Sequence, residues 1–378
     1  QEKWPQDVLG LGEVVGGLTQ EAAQHLGLIE GLPVAQGGAD AFVGMVGLGV
    51  VRAGELALLT GSSHLHLGMT DSRHLQGRGM WGTYPDAVLP GLGVVEGGQT
   101  STGSVIAWFR RLLSSNNKDS MVSYGDLNRE AEAVPIGAEG LVCLDHFQGN
   151  RTPFTDPLSR GAIGGLSLKH DRGHIFRALI EGVCMGTEAV FEAMRAAGYT
   201  PESIAVAGGA TRSKLWLQAR KYGAHRRRPN VPLRLTKVPD ACLLGAAVLA
   251  AAGAGMFESI RAAVDAMVHV ERTVLPDPES HLAYRELQKK YNLLYPALKP
   301  VFHESGEGGV TRELEEADIA LFGGNNIDVT GNFLPSGIVN ASILAADLAN
   351  LKGEVSTALE AGVDWIHVDV VDNQFAKV

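Results

Sequence analysis

Along the first 303 residues, short apolar runs alternate with longer stretches in which apolar positions recur every three or four residues. "LPVAQ" (32–36), "ELALLT" (55–60), "HLHLGM" (64–69), "LVCLDHF" (141–147), "SIAVAGG" (203–209) and "VPLRLT" (231–236) have the length and branching of strands. Over 174–194, Ile175, Leu179, Val183, Val190 and Met194 recur near helical spacing, while Gly182 and Gly186 offer a flat face for close packing. The almost wholly apolar stretch 240–254 predicts a buried helix. Tyr284, Leu287, Tyr291 and Leu294 line one stripe of 278–295, which predicts a surface helix laid over the core. The alternation predicts an α/β unit over 1–303.

Periodicity then fades. Residues 304–336 mix acidic residues, Gly and Asn and read as a linker. A β–α–β pattern follows within 337–378: "IVNASIL" (338–344), an amphipathic stretch over 347–361, and "VDWIHVDVV" (363–371). No internal repeat is evident.

Composition narrows the function classes. With 378 residues, 45% hydrophobic and 20% charged, the chain is a globular protein of more than one domain. The net charge of −10 argues against nucleic acid as a partner but leaves room for a small anion in a local pocket. Cys143, Cys184 and Cys242 lie far apart without metal or redox spacing, as expected of reduced thiols in an intracellular protein. No apolar run reaches the roughly 18 residues of a membrane span. A cytoplasmic location is favoured, with an organelle left open because the chain opens at Gln1 without a targeting signal.

Three patterns carry candidate chemistry. Asp40 in "GGAD" stands where a strand meets a helix, either as an N-cap or as a general base; the roles are compatible. "LLTGSSH" (58–64), "EGGQTSTG" (96–103) and "AVAGGATRSKLW" (205–216) place glycines and hydroxyl residues after strands, where backbone N–H groups can cradle phosphate or plain turns can form. In "DWIHVDVVD" (364–372), strand alternation puts His367 and Asp369 on one face, a pair able to grip a metal or move a proton.

Taken in order, "GGAD", "LLTGSS", "EGGQTSTG", "GNRTPFTDPLSRGAIGGLSLKHDRGHIFRALIEG", "AGGATRSKLWLQ" and "DACLLGAAVLAA" resemble the C-terminal half of an FGGY-family carbohydrate kinase. The segment Gly161 to Glu181 follows that family's signature, and "LDHFQGNRTP" is nearest to the ribulokinase-like branch. The resemblance covers about 1–303 and implies one of two actin-like (ribonuclease H-like) ATPase domains closing over ATP, Mg²⁺ and a sugar. It implies that Asp40 deprotonates the sugar hydroxyl, that Gly61, Ser62, Gly98 and Gln99 approach the phosphates, and that Gly208, Gly209 and Ala210 meet the adenosine.

Residues 340–375 resemble the start of ribulose-phosphate 3-epimerase, which implies a partial TIM-barrel βαβ fragment. That resemblance implies a divalent metal such as Zn²⁺ or Fe²⁺ on His367 and Asp369, an acid/base role for Asp369 and substrate contact at Ser342. The joint expectation is an ATP-dependent pentulose kinase, D-ribulose favoured, fused to an incomplete epimerase and compatible with a homo-oligomer. A non-catalytic nucleotide-binding module and an inert fragment stay open beside it.

Overall fold

A computed structural model describes residues 8–80, 82–114, 122–223, 231–275 and 278–305, and the short backbone stretches 340–342 and 365–367. The chain divides into two units, Gln1–Thr311 and Arg312–Val378.

The first unit is organised by a seven-stranded sheet of order β11-β10-β9-β3-β4-β6-β5. β3 (Glu55–Thr60), β4 (His64–Thr70) and β6 (Gly93–Gln99) form an antiparallel meander, with the short β5 (Thr83–Pro85) at its edge. β9 (Ser203–Gly208) adds parallel to β3, β10 (Leu233–Thr236) parallel to β9, and β11 (Val270–Val274) antiparallel beyond it. The runs at 55–60, 64–69, 203–209 and 231–236 are therefore strands, as their pattern predicts.

Strand alternation divides the core. Leu56, Leu58, Ile204, Val206 and Leu233 point to one face, against Val190, Phe191 and Met194 of α5 (Arg172–Ala196). Ala57, Leu67, Met69, Ala205 and Ala207 point to the other, against α2 (Asp40–Gly47), α7 (Ala241–Gly253) and α8 (Ile260–Met267). The 25-residue α5 starts at a capping box in which Asp171 accepts from the amides of Gly173 and His174. Its two glycines do provide the flat face: a side chain at Gly182 would collide with Cys143, and one at Gly186 with Asp145 and Gln99.

α2 and α7 meet backbone to backbone, because a Cβ on Gly47 would overlap the Ala241 carbonyl and one on Gly245 the Val43 carbonyl. The helix predicted at 240–254 forms, but it is buried on one side only. Gly245, Val248, Leu249 and Ala251 are buried, but Leu243, Ala246, Ala247 and Ala250 face outward. An apolar helix rich in alanine can leave one side to solvent at little cost, since each methyl exposes little surface. The helix predicted at 278–295 runs on to Ser305 as α9 (Pro278–Ser305), through Pro296 and Pro300, with Tyr284, Leu287 and Tyr291 buried on its stripe.

A smaller layer surrounds this frame. α3 (Gly103–Leu113), α4 (Tyr124–Ala133) and α6 (Lys214–Gly223) join α5 and α9 around a third apolar cluster, with the hairpin β7 (Val142–Leu144) and β8 (Ala162–Gly164) beside it. At the other end of the unit, β1 (Val14–Gly17), α1 (Gln20–Leu26) and β2 (Pro33–Ala35) make a separate antiparallel ribbon.

In the second unit, β12 (Asn340–Ser342) pairs parallel with β13 (Trp365–His367), Ser342 opposite His367, the direction that a βαβ unit requires. Asp369 and the predicted helix at 347–361 lie outside the described residues.

Candidate active site

Three of the candidate segments converge at one edge of the sheet, where the parallel strands β3, β9 and β10 end. Open α/β sheets bind ligands there, because backbone groups and helix starts face a common crevice. Thr60 and Gly208 are directly paired, and Thr60 Oγ1 donates to the Ala207 carbonyl at 2.6 Å. Gly208 has φ +99°, and any Cβ would overlap the Thr60 carbonyl, so only glycine fits. Gly209 opens a single 3-10 turn, Gly209–Arg212, and the space its side chain would occupy is empty for 4 Å. Backbone can thus be approached closely there. Ala210 turns inward and is buried in the core, so only its backbone faces the edge.

Gly208 lines a cavity of about 470 Å³ together with Thr211, Thr236, Lys237, Glu271 and Arg272. Its size suits a mononucleotide-sized ligand, and Lys237 and Arg272 bring positive charge to a chain that is acidic overall. Lys237 is held at the rim by its amide, which donates to the His269 carbonyl at 2.9 Å.

The Gly61–Ser62 turn leads out of β3, next to Gly208 by way of the Thr60 pair. Both residues are exposed. Their carbonyls are engaged: Ser62 O accepts from the amides of Thr102 (2.8 Å) and Ser104 (3.2 Å), and Gly61 O from that of Gly103 (3.2 Å). The start of α3 therefore serves to clamp this turn. The amides of 102–104 are not free to cradle phosphate, contrary to the expectation for "EGGQTSTG".

Asp40 is exposed at the first residue of α2, and its Oδ1 accepts from the Ala41 amide at 2.6 Å. Ala39 holds the capping position without a side-chain bond, so Asp40 serves the helix start from one residue further in. Its carbonyl accepts from Cys242 Sγ at 3.4 Å, which ties it to the first turn of α7, two residues after the cavity-lining Pro239. The Cys242 thiol is pushed up by partial burial and by the neighbouring Asp40 and Asp240.

Gly98 and Gln99 end β6 at the same edge, Gln99 in one row with His64, Thr60 and Gly208, but both are buried. The Gly98 carbonyl accepts from the Thr152 amide and the Gly98 amide donates to Thr152 Oγ1, both at 3.2 Å, and a Cβ on Gly98 would press on Arg151. Gln99 is a hub: its amide nitrogen donates to Asp145 Oδ2 (2.7 Å) and the Val183 carbonyl (3.0 Å), and its oxygen accepts from Thr187 (2.8 Å). Asp145 also accepts from Tyr291 Oη of α9 at 2.5 Å. Burial pushes the Asp145 carboxyl up, against the opposing pull of His146, Tyr291 and Gln99. Burial likewise lowers His146, a neutral ring whose Nε2 accepts from Asn150 and whose Nδ1 faces Ser159 Oγ at 2.7 Å. Every polar group in this hub is turned inward, which makes it a brace between β6, α5 and α9.

Sequence reasoning missed Thr236, Lys237, Glu271 and Arg272. The one available signal was "VPLRLTK": had 231–236 been paired in parallel with 203–208, Lys237 would have fallen beside Gly208. Among the described residues no group of three or more metal-type side chains gathers, and no helix is long and apolar enough to cross a membrane. The backbone stretches carrying Ser342 and His367 are opposite each other in β12 and β13, while Asp369 is outside the described residues.

Residues 56–254 match the FGGY family of carbohydrate kinases, C-terminal domain, and residues 338–377 match the Ribulose-phosphate 3 epimerase family. A ribulokinase of Bacillus licheniformis is 29% identical over 306 residues, covering 78% of this chain and 54% of that protein. An FGGY carbohydrate kinase domain-containing protein of Xenopus laevis is 32% identical, over 76% of this chain and 56% of its own length. Among solved structures, a xylulose kinase from Rhodospirillum rubrum superposes with a TM-score of 0.67 at 31% identity, covering 78% of this chain and 58% of that one. The chain spans about half the length of the curated relatives it matches. The sugar-kinase, actin-like architecture expected from the motifs is the one these structures share.

Proposed function

This chain belongs to the FGGY family of carbohydrate kinases, and from that premise we propose that it is the C-terminal half of an ATP-dependent pentulose kinase. The observation that carries the reading is the common edge: exposed Asp40 tied to α7, the Gly61–Ser62 turn paired through Thr60 to Gly208, and the cavity beyond it. ATP fits that cavity, with adenosine against the bare backbone of Gly208–Gly209 and phosphates toward Lys237 and the Gly61–Ser62 turn. Mg²⁺ would enter on the phosphates and neutralise their charge.

Asp40 then takes the proton of a sugar hydroxyl. The freed oxygen bonds to the γ-phosphorus as the bond to the ADP oxygen breaks, so the enzyme's task is positioning and charge neutralisation. Gly98, Gln99 and Asp145 support the site from within the sheet. D-Ribulose is the favoured acceptor, since its 5-phosphate is the substrate class named by the family matched at 338–377. Ser342, His367 and Asp369 are the residues that an epimerase site would draw from this chain, with a divalent metal on the last two.

The test is ADP release with D-ribulose, D-xylulose and glycerol, on the chain alone and on a version extended by the half that the B. licheniformis ribulokinase carries in addition. Sugar-dependent release from the extended form, lost at least about 100-fold in Asp40→Asn, is the expected result. Full activity of Asp40→Asn removes the base assignment. ATP binding without release in either form would favour a non-catalytic nucleotide-binding module.

A further inference from the structure

The cavity beside Gly208 reaches across β10 to β11, the outermost strand of the sheet. The ladder slips there: Leu235 pairs with Arg272 but Thr236 with Val270, so Glu271 is an extra residue opposite neither. A bulge of this kind re-aims side chains. In a regular strand consecutive residues point to opposite faces, yet Glu271 and Arg272 both line the cavity. The other polar groups of the lining differ from these two. Thr211 Oγ1 donates to the Gly208 carbonyl at 2.8 Å and Thr236 Oγ1 to the Val238 carbonyl at 2.9 Å, so both hydroxyl protons are engaged. Arg234, further back on β10, pairs with Glu55 at 3.2 Å. Among the described residues, the side chains of Lys237, Glu271 and Arg272 make no ion pair or hydrogen bond with the protein. Two cations and one carboxylate thus line one cavity without partners.

Strand order fixes which part of a nucleotide meets β11. The Gly61–Ser62 turn follows β3, Gly208 ends β9, Lys237 follows β10, and β11 lies beyond, so turn and bulge are three strand spacings apart, about 14 Å. With phosphates at the turn and the adenosine crossing Gly208–Gly209, the base is the end that reaches β11. Glu271 suits that end and no other. An ionised carboxylate repels phosphate and can only accept, so it needs a donor on an uncharged group. Adenine presents one in its N6 amino group, directly beside the acceptor N7. We propose that the bulge on β11 reads the base: Glu271 accepts from the adenine N6 amino group and Arg272 donates to N7. The proposal deepens the ATP reading above and rests on it. It makes β11 the determinant of nucleotide choice. A 6-oxo purine such as hypoxanthine sets its O6 acceptor against the Glu271 carboxylate, and neither then has a donor.

The test is nucleotide affinity, measured by calorimetry with Mg²⁺ present on the full chain and on the extended form described above. The probes are ATP and inosine triphosphate. ATP is expected to bind at least about tenfold more tightly. Glu271→Gln brings the two within about twofold, because an amide can donate to O6 or accept from N6. Arg272→Met weakens both alike, since both carry N7. Glu271 and Arg272 are exposed, so each variant keeps the thermal midpoint of the parent chain. A parent that binds both nucleotides equally overturns the proposal, as does a Glu271→Gln variant that keeps the parent's preference. If Glu271→Gln weakened ATP but not 2′-deoxy-ATP, the carboxylate would serve the ribose, which also overturns it. These arms read binding and not turnover. ATP preference without sugar-dependent ADP release counts against the kinase reading and leaves the base reader intact. If neither form binds a nucleotide, the cavity is not the ATP site and both fall.

Discussion

Two Gly-Gly pairs, Gly97–Gly98 in β6 and Gly208–Gly209 after β9, look alike in sequence and have opposite surroundings. The first lies near the end of β6, where Arg151 and Val190 fill the space that side chains would take. The second ends a parallel strand, with one glycine locked against Thr60 and the other open. Missing side chains admit a neighbouring protein group in one case and leave room for a ligand in the other. The difference comes from what packs over each pair. β6 runs the same way as β3 and β9 and ends at the same edge, but Arg151 and, from α5, Val190 cover its last glycines, whereas nothing lies over Gly209.

The contrast can be broken most forcefully at Gly208. Gly208→Val should destabilise the chain by about 3 kcal/mol or more, since it combines left-handed backbone strain with overlap of the Thr60 carbonyl. A thermal midpoint equal to the parent's would show that this edge is looser than described. On the other side, Tyr291→Phe withdraws a donor from buried Asp145 and should cost about 2 kcal/mol, read by denaturant unfolding. Nucleotide affinity should be unchanged in that variant if the hub is a brace.

The same hub predicts a pH trend. Burial raises the Asp145 carboxyl, so its contribution to stability is full below the ordinary carboxylate range and declines as pH rises through its raised value. The thermal midpoint of the parent should therefore fall, relative to Asp145→Asn, as pH is taken from about 4 to about 8. Parallel curves would mean that Asp145 titrates normally. Gly98→Ala is milder, about 1 kcal/mol, because the atom it meets is the tip of the Arg151 side chain. Smallest in stability is Gly209→Ala, within about 0.5 kcal/mol, yet it should weaken ATP binding measurably by filling the open space at the cavity. If Gly98→Ala weakened ATP more than Gly209→Ala, the assignment of the two pairs would have to be exchanged.

Much of the frame was legible. β3 and β9 stand where their short apolar runs placed them, and Gly182 and Gly186 supply the flat face read from their spacing. The full length of α9 was not, because past the apolar stripe its contacts pass to polar groups: the ring of Tyr295 stays in the core while its hydroxyl donates to Asp156, and His303 meets the same carboxylate. Burial opposes the shift, but the bonds from His303, Tyr295 and the Leu158 amide hold Asp156 below the usual carboxylate range. Lys237 and Arg272 were missed since nothing local in "LTKVPD" or "VERTV" announces a ligand.

Local pattern decided which residues become strand or helix, because side-chain alternation and helical spacing act within one element. It also decided where backbone freedom would be needed, since glycine alone tolerates positive φ and close approach. The order and direction of the strands lay beyond its reach. Only the fold, by setting β9 beside β3 and bringing Arg151 and α5 over the end of β6, determined which glycines face a ligand and which face Arg151. Pairing is a contact between distant segments, and its free energy belongs to the assembled sheet, not to either run of residues alone.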